Sequence, residues 1–74
     1  MQFYTYRGYS IYPDPHLVFG SGYWGIALTI SNDISTYSYR NDTVYPTEGE
    51  AVFHSIQYGK KLIDTGIVLS NEAI

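Results

Sequence analysis

The sequence predicts an α+β domain in which a three-stranded antiparallel sheet is followed by one C-terminal helix packed on one face, in the order β-β-β-α. Nine tyrosines among 74 residues favour strands, because a Tyr ring packs well on a pleated, half-buried surface. Residues 47–65 instead repeat apolar side chains at helical spacing, between a start signal and a stop signal. We expect residues 1–66 to form one domain and residues 67–74 a C-terminal tail that docks on the sheet or on a partner.

Three segments are typical of strands. Residues 3–12 are rich in Tyr and Ile and end at Pro13, which cannot continue a ladder of hydrogen bonds. From Trp24 to Ile30, bulky apolar residues alternate with small or polar ones, which is the period of a half-buried strand. Asn32-Asp33 predicts a tight turn, since both residues tolerate positive φ, and a third strand around residues 35–40.

The helix has a clear start and end. Thr47 and Glu50 have the spacing of a capping box, and Gly66 supplies the stop. Glycine costs roughly 1 kcal/mol relative to alanine inside a helix, so Gly59 predicts a place where the helix approaches the sheet closely, with Trp24 filling the notch. At 100° per residue the apolar arc consists of Ala51, Val52, Ser55, Ile56, Gly59, Leu62 and Ile63.

One helix covers only one side of a sheet, so the other side is predicted to be open. If Trp24 and Ile30 face the helix together with Tyr9 and Ile11, alternation places a group of tyrosines on the open side. Three alternatives stay open for such a face: burial by another protein, including a second copy, stacking of bases, or simple exposure to solvent. The predicted interaction surface consists of Tyr4, Tyr6, Tyr12 and Tyr23, with Arg40 on the sheet and Phe53 on the polar arc of the helix.

No residue pattern specifies a reaction. His16, in a loop flanked by prolines, and His54, on the polar side of the helix, have no nucleophile motif or metal-ligand spacing around them. No serine lies in the sequence pattern of a nucleophile elbow or of a catalytic triad. The carboxylates of Asp14, Asp33 and Asp42 fall in predicted loops or turns, where turn chemistry accounts for them. We therefore expect no enzyme, no metal site and no cofactor.

Charge and size bear on the partner and the compartment. Seven acidic residues against four basic ones give a net charge of −3, which repels a phosphate backbone and favours a protein partner. A chain of this size buries only about 60% of its unfolded surface, and no cysteine is present to form a disulfide. A homodimer is therefore expected.

Without a signal-peptide pattern or a membrane-length apolar run, the sequence indicates a cytoplasmic protein with no membrane partner.

Two apolar triplets have no place in this pattern. Residues 17–19 lie between the first two predicted strands, and they either fold over an edge of the core or contact a partner. Residues 67–69 follow the helix stop and belong either on the edge of their own sheet or on a neighbouring subunit. For residues 17–19 the first interpretation is favoured, whereas for residues 67–69 the sequence leaves the choice open.

Residues 6–15 (YRGYSIYPDP), residues 39–42 (YRND) and the segment from Thr47 to Gly66 together resemble the small bacterial HlyU-type family and related uncharacterised domains. The resemblance implies a bacterial β-β-β-α domain with a label of transcriptional activation. A single helix cannot form a helix-turn-helix, so no DNA-reading role comes with it. The resemblance also implies that Arg40 and Asp42 form a structural pair near the sheet edge.

Together these observations predict a non-enzymatic protein-interaction or regulatory module. The alternative is a weak single-stranded nucleic-acid binder that uses the Tyr-rich open face.

Overall fold

The computed structural model describes residues 3–66 and has a five-stranded antiparallel sheet followed by one helix. The α+β class is confirmed, whereas the predicted number of three strands is wrong. The eight residues predicted to form a C-terminal tail lie outside the described residues, as does the choice of a site for residues 67–69. The elements in chain order are β1 (Tyr4–Tyr6), β2 (Tyr9–Pro13), β3 (His16–Leu17), β4 (Trp24–Ser31), β5 (Thr36–Tyr45) and α1 (Glu48–Asp64).

The predicted first strand is a hairpin of two strands. Tyr6 of β1 pairs with Tyr9 of β2, and the two residues between them have positive φ, 51° at Arg7 and 84° at Gly8. A two-residue turn with positive φ at both positions matches the twist of the strands that it joins. The chain therefore reverses at Arg7-Gly8 instead of running straight to Pro13.

Strand β4 lies at the centre of the sheet. On one side it pairs with β2 through residues 28–31 and with β3 through residues 24–25. Strand β2 ends at Pro13 and β3 begins after Pro15, and neither proline has an N–H to donate. On its other side β4 pairs with β5, with a bulge where Gly25 and Ile26 oppose Val44 and Asn41. The sheet therefore ends in β1 and β3 on one side and in β5 on the other.

The connection between β4 and β5 is a four-residue loop rather than the predicted tight turn. The Asn32 side-chain oxygen accepts hydrogen bonds from the backbone N–H groups of Ile34 and Ser35, at 3.0 and 2.8 Å. Neither Asn32 nor Asp33 has positive φ. The side chain of Asn32 organises the loop in the manner of an Asx turn.

The predicted helix boundaries are confirmed. Thr47 is the N-cap, and its hydroxyl accepts a hydrogen bond from the N–H of Glu50 at 3.2 Å. Gly66 follows the last turn with a φ of 78°, the left-handed conformation that ends many helices. These caps satisfy main-chain groups that the helix itself leaves unpaired.

The core lies between α1 and the sheet. Its buried apolar side chains are Tyr9, Ile11, Ile26, Leu28, Ile30, Ala51, Leu62 and Ile63. A Cβ atom built on Gly59 would lie 2.9 Å from Ile11 Cγ2 and 3.0 Å from Leu28 Cδ1. Ile11 and Leu28 therefore fill the notch in the helix. The prediction that Trp24 fills it is wrong, because Trp24 lies at the far end of β4 and is only half-buried.

Candidate interaction surfaces

Tyr4 and Tyr6 lie on the face of the sheet that the helix covers, and their predicted position on the open face is wrong. Tyr4 pairs directly with Ile11, and Tyr6 with Tyr9; Ile11 and Tyr9 are both buried in the core. Directly paired residues of an antiparallel ladder point to the same side of the sheet. The hairpin therefore brings Tyr4 and Tyr6 to the side of the helix.

The last turns of α1 hold the two tyrosines in place. The Tyr6 hydroxyl donates to the carboxylate oxygens of Asp64 at 2.8 and 3.0 Å, and Arg7 Nε lies 3.0 Å from Asp64 Oδ1. Lys60 Nζ lies 4.4 Å from the centroid of the Tyr4 ring and 5.5 Å from that of Tyr6. These contacts are of the cation–π and charge-assisted kind, and they fasten the β1–β2 hairpin to the end of the helix.

The charged groups of Arg7 and Asp64 have a structural role in this contact. Hydrogen bonding with the Tyr6 side chain and attraction to the Asp64 carboxylate raise the pKa of the Arg7 guanidinium. A guanidinium is already protonated at any physiological pH, so the shift gives it no proton to exchange. The contact therefore serves the fold and supplies no acid or base.

The side of the sheet opposite α1, here named the uncovered face, is lined mainly by hydroxyl groups. Thr29 Oγ1 and Ser38 Oγ lie 3.3 Å apart, and so do Ser31 Oγ and Thr36 Oγ1. Tyr12 is the one predicted stacking residue paired on this face, through Thr29, and its ring centroid lies 5.2 Å from that of Phe3. The four predicted tyrosines therefore do not form one platform.

Arg40 lies on the uncovered face, where it is exposed. An open groove of about 280 Å³ beside it is lined by Asp14, Ala27, Leu28, Thr29, Ser38, Tyr39 and Arg40. Within residues 3–66 the single ion pair joins Arg7 to Asp64. The pairing of Arg40 with Asp42 that the resemblance implies is therefore not formed.

A row of apolar side chains crosses the opposite end of the molecule, where α1 begins. Leu17 of β3 pairs with Trp24 of β4, which pairs in turn with Tyr45 of β5. The Tyr45 ring stacks on His54 of the helix, with centroids 4.2 Å apart and an angle of 4° between planes. Phe53 meets His54 edge to face at 5.2 Å. We name these five side chains the aromatic ridge.

The aromatic ridge and its surroundings are exposed to solvent. Leu17 is 55% exposed and Phe53 57%, while Trp24, Tyr45 and His54 are half-buried. Phe19 and Tyr23, in the loop between β3 and β4, are also exposed. The interpretation that residues 17–19 fold over an edge of the core is therefore wrong for Leu17 and Phe19. Phe53 and Tyr23 are the two predicted surface residues at this end.

Strand β5 forms a second surface, made of main-chain groups. It is the longest strand, with ten residues, and within the described part of the chain it pairs on one side only, with β4. Its side chains alternate: Tyr37 and Tyr39 pack against the core, and Thr36, Ser38 and Arg40 are exposed. A long strand at the edge of a sheet can accept another strand.

The chemistry of the described residues is limited. No group of three or more His, Cys, Asp or Glu side chains converges in residues 3–66 as a metal ion would require. No helix in the same range is long and apolar enough to cross a membrane. His54 stacks on Tyr45, and the His16 ring lies against Gly25, where an added Cβ would come within 2.7 Å of it.

No protein-family model, curated protein or solved structure matches this chain. The resemblance to the HlyU-type family therefore stays a prediction.

Proposed function

We propose that this chain is a non-enzymatic protein-interaction module that forms a homodimer by antiparallel pairing of two β5 edges. The observation that supports this proposal is the long edge of β5, which pairs only with β4 within residues 3–66. From Thr36 to Tyr39 this edge has no charged residue, no proline and no bulge. Sheet proteins usually protect an edge by one of those devices.

The other edge of the same sheet is protected. Its two strands are short, three residues in β1 and two in β3, and the charged groups of Arg7 and Lys60 lie beside the tyrosine rings of β1. A short strand next to positive charges is a poor template for pairing. The contrast between the two edges indicates that β5 is the one built for contact.

Side-chain alternation limits how two β5 strands can pair. The two sheets can continue into each other only if residues of the same face are opposed. Pairing centred on Ser38 sets Ser38 opposite Ser38 of the second copy and Tyr37 opposite its Tyr39. This register brings aromatic rings together across the new ladder and opposes Arg40 to Thr36, which keeps the two guanidinium groups apart.

The register can be tested with opposite charges at its centre. Light scattering after size-exclusion chromatography is expected to find a dimer for the unmodified chain and monomers for Ser38→Lys and for Ser38→Asp, since each places like charges in direct opposition. Mixing the two variants is expected to restore a dimer that contains one copy of each. Thr5→Lys, at an exposed position of β1, is the matched control and is expected to remain dimeric.

A monomer at every accessible concentration would contradict the proposal. A monomer whose β5 amides exchange slowly, and exchange rapidly after residues 67–74 are removed, would instead assign the edge to the tail of the same chain. Dimers of both charge variants would show that the contact lies elsewhere. Each outcome is read from the same samples by light scattering and amide hydrogen exchange.

The alternative of single-stranded nucleic-acid binding has less support than the sequence suggested. Its stacking platform required Tyr4 and Tyr6 beside Tyr12, and the first two lie on the opposite face of the sheet, the face that carries the helix. Titration of a short oligonucleotide at low salt remains its test.

A further inference from the structure

We infer that the aromatic ridge is a docking site for a proline-rich peptide segment that carries basic residues at its ends. This site is separate from the β5 edge, and its use does not depend on the proposed dimer. The inference follows from the kinds of side chain in the ridge, from their unused hydrogen-bonding groups and from the charges around them.

The ridge is suited to an extended peptide in the polyproline II conformation. Side chains from three adjacent strands and the helix form one row from Leu17 through Trp24 and Tyr45 to Phe53. Aromatic rows of this kind receive proline rings, which are apolar and rigid, so a proline-rich segment loses little conformational entropy on binding. Phe19 and Tyr23 extend the exposed apolar surface beside the row.

The ridge also has hydrogen-bonding groups to spare. Within residues 3–66, no hydrogen bond is made by the side chains of Trp24, Tyr45 or His54, and the rings of Tyr45 and His54 stack on each other. An indole N–H can only donate, and a tyrosine hydroxyl donates readily. A peptide in the polyproline II conformation has unpaired carbonyl groups along its length, so it supplies the acceptors that these donors lack.

The charges around the ridge select the ends of the peptide. Glu48 and Glu50 are exposed in the first turn of α1, and Glu50 lies one turn before Phe53 and His54. The basic residues lie elsewhere, with Lys60 and Arg7 at the far end of the helix and Arg40 on the uncovered face. The carboxylates therefore favour a peptide with Arg or Lys at its ends.

The same carboxylates disfavour two other occupants. Two copies of this chain joined ridge to ridge would bring four carboxylates of the helix N-termini together, which is unfavourable. A nucleic acid would place its phosphates beside Glu48 and Glu50, which is likewise repulsive. Of these three occupants, the basic proline-rich peptide is the one that both the rings and the charges accept.

Trp24 is the only tryptophan in the chain, so its fluorescence reports on the ridge directly. The probe is the synthetic peptide Arg-Pro-Leu-Pro-Pro-Leu-Pro-Arg, titrated up to about 1 mM, where binding would correspond to roughly −4 kcal/mol. We expect the Trp24 emission to shift to the blue as peptide is added and the shift to saturate. Two control peptides are expected to bind at least about tenfold more weakly: one has alanine at every proline, and the other has glutamate at both arginines.

Variants of the protein locate the site. Phe53→Ala and Leu17→Ser lie at the two ends of the ridge and are exposed, so both are expected to fold and to weaken binding about tenfold or more. Glu48→Gln is expected to weaken binding and to make it less sensitive to salt. Ile34→Ala changes a side chain that is 86% exposed in the loop before β5, and it is expected to bind like the unmodified chain.

The inference is overturned if the proline peptide leaves the Trp24 emission unchanged, if the alanine peptide binds as tightly, or if Phe53→Ala and Leu17→Ser, both shown by circular dichroism to be folded, bind normally. Saturable binding of the glutamate peptide with equal affinity would also overturn it, because the charge selection would be absent.

Discussion

Replacing Gly59 with alanine tests the closest contact between helix and sheet. Alanine is the better helix former by about 1 kcal/mol, so an open site would gain stability from the change. At Gly59, however, the new Cβ would meet Ile11 Cγ2 at 2.9 Å, Leu28 Cδ1 at 3.0 Å and Ile11 Cδ1 at 3.1 Å. Ile11 and Leu28 are almost fully buried, with 0% and 2% exposure, so they have little room to move.

Overpacking a close-packed core in this way costs about 1–3 kcal/mol. After the gain in helix propensity is subtracted, we expect Gly59→Ala to lower the free energy of unfolding by about 1 kcal/mol, within a range of about 0–2 kcal/mol. For a domain of 60–100 residues, 1 kcal/mol corresponds to a fall in Tm of roughly 4–8 °C.

The matched control is Gly49→Ala in the first turn of the same helix, where nothing lies within 4 Å of the added Cβ. We expect the control to raise Tm slightly, because only the propensity term acts. Both variants are compared with the unmodified chain by thermal and urea unfolding at one protein concentration, since association makes Tm depend on concentration. A Gly59→Ala variant as stable as Gly49→Ala would refute the close packing of Gly59 on Ile11 and Leu28.

Two further substitutions examine single features of the fold. Ser55 is fully buried, and its hydroxyl has no hydrogen-bond partner within residues 3–66. We therefore expect Ser55→Ala to stabilise the chain by about 1 kcal/mol, measured by urea unfolding. A loss of stability would show that the hydroxyl is hydrogen-bonded. Gly8 has a φ of 84° with nothing near a built Cβ, so Gly8→Ala should cost about 1–2 kcal/mol through the backbone alone. An unchanged unfolding midpoint would contradict the two-residue turn at Arg7-Gly8.

The two proposed contacts are compatible with each other. The β5 pairing is centred on Ser38, whereas the ridge includes Tyr45 at the other end of the strand. A β5 dimer would therefore present two ridges, and a ligand with two proline-rich segments would bind it more tightly than one with a single segment, provided that its linker spans the sites. A substitution that makes the chain monomeric should abolish this gain in affinity for the ligand with two segments. It should leave the affinity for a single peptide unchanged.

Short-range patterns in the sequence determined the helix and the central strand. The N-cap at Thr47 and the stop at Gly66 depend on main-chain groups within one turn of the residue concerned, and both are confirmed. The alternation from Ile26 to Ile30 likewise predicts which residues of β4 are buried, because a strand with one covered face repeats every two residues. Local rules of this kind need no knowledge of the rest of the chain.

The position of the tyrosines was decided by the tertiary structure. Tyr4 and Ile11 are seven positions apart, so on one continuous strand they would point to opposite faces. The turn at Arg7-Gly8 makes them direct partners on the same face. Arg-Gly is a weaker turn signal than the Asn-Gly or Asp-Gly that favours such a hairpin. The reversal of the chain at Arg7-Gly8 was therefore not predicted from the sequence.

The aromatic ridge was decided in the same way. Its members come from three strands and the helix, and the register of β3, β4 and β5 brings Leu17, Trp24 and Tyr45 together. Of its five residues, the sequence placed Phe53 in the predicted interaction surface, as an aromatic on the polar arc of a helix, and Leu17 in an apolar triplet with two possible locations. Periodicity assigns a residue to a face of its own element, whereas neighbours on different elements are set by pairing between distant segments, which only the folded chain specifies.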